Sequence, residues 1–286
     1  MSDKYLKEDL PGHYEHRFHA GNVGDLWKHA ILLALVKDLT AQHESLTMID
    51  AFAGEGSYTL GSTGEWTEGI GALLKSTLPI PSSSALASFI SYARQQFVNG
   101  KRYAGSPALL ASFLGAKNTL TCYEIDPTAN AALTRSLAES SAKVQACDGL
   151  EGLLAEASST GAASANIFAL VDPPWNKKED WRVVPSKLVE ALKQAPTMTI
   201  ALWYPIKSYT RVSTMLKYFK DESVKGVALD LITTPLTIQR NRLNGSGMLL
   251  VNAPITSITT CNEMAPWIGV ACATHSGYWE SRASAI

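Results

Sequence analysis

The chain has 286 residues, 46% of them apolar and 18% charged, which are the proportions of a folded globular protein and exclude a disordered or coiled-coil chain. A formal net charge of −1 removes the overall basic field of a nonspecific nucleic-acid coat but leaves room for a local basic face. The four cysteines, Cys122, Cys147, Cys261 and Cys272, form no C-x-x-C pair, so they read as reduced thiols rather than a zinc knuckle or disulfide framework.

The first 21 residues are polar, with no apolar signal segment, and no later run reaches the roughly 18 apolar residues of a membrane span; a cytoplasmic protein is expected. Asn22 or Asp25 can then cap a helix over 25–39, in which Leu26, Ala30, Leu33 and Val36 or Leu39 recur at spacings of three and four, as on an amphipathic helix. Residues 46–51 read as a buried strand that stops at a glycine-rich turn. Residues 58–103, with one helical stretch over 86–98, are too long for an ordinary connection and read as a small helical insertion. Strands are predicted at 119–123, 143–147, 167–171, 197–203, 227–233 and 248–251, and helices at 107–114, 128–139, 150–157, 181–193 and 209–219. Seven strands alternating with helices predict an α/β fold with a mostly parallel sheet and helices on both faces. The last strand follows a hairpin-like connection and should run antiparallel. The expected organisation is a tail, helix and first strand over 1–57, the insertion over 58–103, and the rest of one domain over 104–286.

Ligands of such sheets sit at the carboxyl ends of the strands, and the chemistry-bearing residues cluster there. The first turn is Asp50-Ala51-Phe52-Ala53-Gly54-Glu55-Gly56, which reads either as a nucleotide-type cofactor site, with Asp50, Phe52 and Gly54 among its contacts, or as a tight strand-to-helix turn. Thr59 replaces the third glycine of a dinucleotide fingerprint. Glu124 ends the next strand, where a carboxylate can accept from both hydroxyls of a ribose. Asp148, before Gly149, can contact an adenine amino group or simply cap the helix that follows.

Asp172-Pro173-Pro174-Trp175 directly follows the apolar strand 167–171, and an acid-Pro-Pro-aromatic run arises by chance in a chain this long with a probability of about 0.3%. An exocyclic amine on a nucleobase is a poor nucleophile because its lone pair is delocalised into the ring. Asp172 can accept one of its N–H groups and the Pro173 carbonyl the other, drawing the nitrogen toward tetrahedral geometry. Trp175 would stack on the extruded base, the alternative being a rigid Pro-Pro turn with a core tryptophan. Taken in order, these signals point to a Rossmann-like class I methyltransferase that uses S-adenosyl-L-methionine to methylate an amino group.

The run Tyr14-Glu15-His16-Arg17-Phe18-His19-Ala20-Gly21-Asn22, followed by Asp25-Leu26-Trp27-Lys28-His29, resembles the bacterial 23S ribosomal RNA (adenine-N6)-methyltransferases of the RlmJ type. Arg102-Tyr103-Ala104-Gly105-Ser106-Pro107, Ala201-Leu202-Trp203-Tyr204-Pro205 and Gly245-Ser246-Gly247-Met248 extend the resemblance over about residues 14–255. It implies a seven-stranded methyltransferase sheet with a helical insertion after the glycine turn. It also implies that Lys28, His29, Ser106, Glu124, Asp148, Gly149 and Asp172 contact the methyl donor or line its pocket, that Asp172 accepts a proton, and that Tyr14 and His16 belong to a tail closing over cofactor and target adenosine. Two residues depart from the family pattern: Phe52 stands where a histidine is usual and Trp175 where a tyrosine is usual.

Lys177, Lys178 and Arg182 read either as contacts to the RNA backbone or as a solvated helix start, and the same holds for Arg211, Lys217, Arg240 and Arg242. His13, His16, His19 and His29 lack the spacing and partners of a metal site, so no metal is expected. The expected partner is 23S rRNA, free or in an early large-subunit precursor, acted on by a monomer. The rival readings are a DNA adenine-N6 methyltransferase, which the same DPPW chemistry would serve, and a non-catalytic nucleic-acid-binding or competence-related protein.

Overall fold

The computed structural model describes residues 19–98, 100–159, 166–238 and 243–286. Helix α1 (Val23–Gln42) leads into strand β1 (Thr47–Asp50). The long segment that follows holds β2 (Ser57–Thr59), a 3-10 turn at Glu65–Thr67, α2 (Ile70–Lys75), α3 (Ala85–Val98) and β3 (Arg102–Ala104). Strands β2 and β3 pair antiparallel, with Tyr58 opposite Tyr103, and close this segment at its base. The chain continues through α4 (Ser106–Ala111), β4 (Thr119–Tyr123), α5 (Pro127–Ser136), β5 (Lys143–Gln145), α6 (Gly149–Ser159), β6 (Ile167–Val171) and α7 (Asp180–Gln194). It ends with β7 (Thr199–Ile206), α8 (Tyr209–Asp221), β8 (Gly226–Ile232), β9 (Gly245–Val251), α9 (Ile255–Cys272) and β10 (Glu280–Ala285).

The main sheet has eight strands rather than the expected seven, in the order β10-β8-β9-β7-β6-β1-β4-β5. Strands β5, β4, β1, β6 and β7 are parallel, and β9 inserts antiparallel between β7 and β8, as its hairpin-like connection implied. The additional strand, β10, is Glu-Ser-Arg-Ala-Ser-Ala, a segment with little strand propensity. It is a strand because it pairs antiparallel with β8 from Glu280↔Ile232 to Ala285↔Val227.

Alternation along the strands divides the core into two layers. Met48, Leu120, Phe168, Leu170 and Ala201 face a layer built from α1, α4, α5, α9 and the 58–103 segment, whose Ile70, Leu73, Leu86 and Phe89 join it. Ile49, Tyr123, Ala169, Val171, Leu202 and Tyr204 face α6, α7 and α8. Helix α1 departs from the amphipathic expectation, since every residue from Gly24 to Val36 is buried, Asp25, Lys28 and His29 included. It lies on β9 with α9 and α3 packed over it, so its apolar spacing traces only one of the faces it covers.

Candidate active site

The carboxyl ends of β1, β4, β6 and β7 form one edge of the sheet, and the acids expected from the sequence lie along it. Asp172 continues the alternation of Phe168 and Leu170 and therefore turns toward α1. There Lys28 Nζ lies 2.5 Å from its Oδ2 and 2.8 Å from Asp25 Oδ1. Helix α1 delivers both groups because Asp25 and Lys28, three residues apart, share a face. Asn22 caps the helix by accepting the Asp25 N–H at 2.9 Å, and Asp25 Oδ2 accepts the Gly21 N–H at 2.9 Å. Burial disfavours the Lys28 charge, but Asp172 and Asp25 outweigh it and hold the ammonium well above the usual lysine range.

Asp50 ends β1 on the same face, fully buried, and neither of its oxygens makes a well-formed hydrogen bond among the described residues. Burial pushes its carboxyl up to about 7, while the nearby Ser106 hydroxyl, Lys28 ammonium and Phe52 amide pull it down. Ser106 itself is buried at the start of α4, and Phe52 is half-buried.

The glycine turn holds Gly54 at φ +61° and Gly56 at φ +79°, where L residues are strained. Its Gly54 N–H donates to Glu124 Oε2 at 2.9 Å, and the Asp126 N–H donates to Oε1 at 2.8 Å. Each oxygen of Glu124 keeps a further lone pair for a ligand hydroxyl. Asp148 Oδ1 accepts the N–H groups of Leu150 and Glu151 at 2.9 and 3.1 Å, so this exposed acid does cap α6, with its other oxygen still available. Gly149 is required by close approach, because a Cβ there would stand 1.5 Å from the Ala51 carbonyl oxygen. His29 turns toward the β2–β3 ribbon, its Nδ1 2.7 Å from the Tyr103 hydroxyl.

The loop after β6 differs from expectation at its aromatic. Pro173 is buried beside Asp172, but Trp175, at φ +53°, swings its ring into the opposite core layer. The indole is only 7% exposed, donates from Nε1 to the Trp203 carbonyl at 3.1 Å and packs against Trp181 with ring centroids 4.3 Å apart. Trp175 is thus an anchor for the loop and offers no open face for base stacking in this arrangement, because burial against α7 has claimed its ring. Lys177 is exposed, with its backbone N–H on Asp180 Oδ2 at 2.9 Å, and Lys178 and Arg182 are exposed beside it.

Tyr14 and His16, like His13, Arg240 and Arg242, lie outside the described residues. His19 contacts Glu65, Nδ1 to Oε2, at 3.0 Å, and the described residues contain no group of His, Cys, Asp and Glu able to hold a metal. Cys122, Cys261 and Cys272 are buried and Cys147 exposed, all as free thiols, and no described helix is long and apolar enough to cross a membrane. Asp25 and Tyr103 join the site through Lys28 and His29 with no role assigned to them by the sequence. The three-residue step from Asp25 to Lys28 was a visible signal for the first, whereas nothing local marks Tyr103.

A family model described as ribosomal RNA large subunit methyltransferase D, RlmJ, matches residues 43–283. The chain belongs to this RlmJ family. The match reaches through α9 and β10, beyond residue 255, and begins after the 14–29 run that carried much of the sequence resemblance. Among similar RlmJ proteins, the ribosomal RNA large subunit methyltransferase J of Haemophilus influenzae is 28% identical over 264 residues, covering 89% of this chain and 92% of that protein. The protein of the same description from Escherichia coli is 28% identical over 265 residues, with the same coverage. A solved structure, protein LPL1258 from Legionella pneumophila, shares the fold at a TM-score of 0.81 and 23% identity, over 93% of this chain and 98% of that one.

Proposed function

We propose that this protein transfers the methyl group of S-adenosyl-L-methionine to the exocyclic N6 of an adenine in 23S rRNA. Membership of a large-subunit rRNA methyltransferase family supports the reaction and substrate class. The observation that carries the mechanism is Asp172, held at the sheet edge next to Pro173 by the 2.5 Å bond from buried Lys28.

The residues present fit the methyl donor. Glu124 has lone pairs left for ribose hydroxyls and Asp148 has an oxygen left for the adenine amino group. Asp50, with both oxygens short of partners, offers negative charge to the cationic end, and Phe52, Gly54, Ser106 and Gly149 border the same turn. Lys28 and His29 bound the pocket from α1. When bound, S-adenosyl-L-methionine supplies an electrophilic methyl group on a positively charged sulfur.

On the substrate side, Asp172 and the Pro173 carbonyl accept the two N–H groups of the target amine, orienting its lone pair outward, and Asp172 takes the proton the nitrogen sheds after transfer. Lys28 fixes the carboxylate in that orientation. Lys177, Tyr14 and His16 are assigned to the RNA side. The substrate is 23S rRNA, free or in an early precursor, because bases are most readily extruded where RNA is unpaired, and one copy of the chain contains every group named.

The test is methyl transfer from radiolabelled S-adenosyl-L-methionine to rRNA stripped of modification, followed by nucleoside mass spectrometry. Label in N6-methyladenosine of the large-subunit RNA is expected, and Asp172→Ala should keep cofactor affinity within a few-fold while losing turnover. Label in adenine of DNA alone, or full activity of Asp172→Ala, would refute the proposal.

A further inference from the structure

Burial of Trp175 leaves the target base without the aromatic surface that the sequence assigned to it, and the register of β6 and β7 shows another. The parallel pairing runs from Phe168↔Thr199 to Val171↔Leu202, so one step further Trp203 is the neighbour of Asp172, at the usual strand spacing of about 4.8 Å. Leu170 and Ala201 point to the α1 layer, and alternation carries Asp172 and Trp203 to that same face. Lys28 confirms the placement, since its Nζ lies 2.5 Å from Asp172 Oδ2 and 6.0 Å from the centroid of the Trp203 ring. A Cβ on Gly24 would stand 3.2 Å from Trp203 Cζ2, so the first turn of α1 leaves room for the indole by carrying glycine there. Trp203 is partly exposed, and its buried indole N–H finds no acceptor among the described residues, so packing and the Lys28 ammonium over the ring hold it.

We propose that Trp203 is the aromatic wall on which the target adenine stacks, while Trp175 anchors the Asp172 loop from the opposite layer. The inference rests on the adenine-N6 reading above. A base taken out of its stack needs a replacement π-surface, and that surface must lie on the side of the sheet where its amine meets the acceptor. Trp203 meets both conditions and Trp175 meets neither. The two are coupled through the Trp203 carbonyl, which receives the Trp175 N–H at 3.1 Å, so the wall and the loop share one strand end.

The proposal is tested with Trp203→Phe, which keeps an aromatic face, and Trp203→Leu, which keeps apolar contact with α1 but removes that face. Steady-state methylation of 23S rRNA is measured alongside calorimetric binding of S-adenosyl-L-methionine. Trp203→Phe should stay within about threefold of wild type in kcat/KM for RNA, and Trp203→Leu should lose about 10- to 100-fold, the range of one base stack. Cofactor affinity should change by less than about twofold in both.

A second readout needs no turnover. A short RNA carrying 2-aminopurine in place of the methylated adenine should be quenched when bound to the wild-type protein and brighten with Trp203→Leu. Bright emission with wild type, equal kinetics for the Phe and Leu variants, or quenching that survives in Trp203→Leu but vanishes in Trp175→Leu would each overturn the assignment. A wild-type protein that forms no N6-methyladenosine would instead refute the reaction itself.

Discussion

Replacing Lys28 by methionine keeps an unbranched stem and removes the ammonium that joins α1 to the Asp172 loop. In the native protein that ammonium lies 2.8 Å from Asp25 and 2.5 Å from Asp172, with side-chain exposures of 5, 10 and 16% for Lys28, Asp25 and Asp172. These values place the triad among buried ion pairs, where removing one partner costs roughly 3–5 kcal/mol because a desolvated charge is left behind. Gly21 still donates to Asp25 and solvent reaches part of Asp172, so the low end, about 3 kcal/mol, is expected at pH 8. The loss comes from two carboxylates left facing each other. Lys28 has its pKa raised in the fold, so its own contribution is complete across the neutral range and is lost only as the solution becomes strongly alkaline. Urea unfolding of both proteins at pH 8 measures the effect, with a midpoint shift of about 1 M expected. Adding Asp172→Asn to the variant should recover part of the loss, as coupled sites do. No recovery in the double variant would refute the reasoning, because it would trace the loss to the aliphatic stem.

Three further outcomes follow from the same geometry. Asp50 binds its proton more tightly when folded, at about 7, than when unfolded, so it lowers stability increasingly from about pH 4 to 7, with the full cost present above 7; a cation placed beside it favours ionisation, and binding of S-adenosyl-L-methionine should release about half a proton at pH 7 and essentially none at pH 9, which calorimetry in buffers of different ionisation enthalpy would detect. Gly149→Ala puts a methyl group 1.5 Å from the Ala51 oxygen and must displace the start of α6, costing more than about 3 kcal/mol and weakening cofactor binding, as thermal unfolding and calorimetry would show. Tyr204 donates to buried Asp230 at 2.5 Å and Tyr209 donates to its other oxygen at 3.1 Å, so Tyr204→Phe should cost about 2 kcal/mol in urea unfolding. Burial raises the Asp230 pKa, and the Tyr204→Phe loss should be larger at pH 8 than at pH 5, where the acid can be neutral.

The parallel strands were legible in the sequence because short apolar runs ending at Gly54, Glu124, Asp148 and Asp172 carry both the strand and its punctuation. Helix α9 escaped because Thr256, Thr259, Thr260, Ile255, Ile258 and Pro266 disfavour a helix locally. Its helical spacing is visible only in what it buries, Cys261, Met264, Ala265, Ile268 and Cys272, against α1. Strand β10 has no local signal at all and exists through its pairing with β8. At the site, the acids were readable because their position after a strand fixes their level in the sheet. The direction of Trp175 was not, since it lies in the loop beyond Val171, where a positive φ at a non-glycine residue leaves strand alternation no guide to the side a ring takes. Trp203 and Gly247 stood in motifs without assigned roles. The structure explains the glycine, because a Cβ there would fall 2.2 Å from the Tyr204 ring and 2.3 Å from Asp230.

The burial of α1 on all sides sets an order for biosynthesis. Trp27 donates its indole N–H to the carbonyl of Leu229 at 3.1 Å, across 202 positions of chain, and the helix rests on β9 and under α9, which are later still. At translation rates of about 5–20 residues per second, α1 leaves the ribosome some 10–40 s before those partners exist. Through that interval α3 and α4 can cover part of α1, but its run 30–36, apolar around the whole circumference, waits for β9 and α9 to cover the rest. Lys28 meets Asp172 in its final setting only when β9 has been made, so a nascent or prematurely terminated chain contains the DPPW loop but not the assembled Lys28–Asp172 pair.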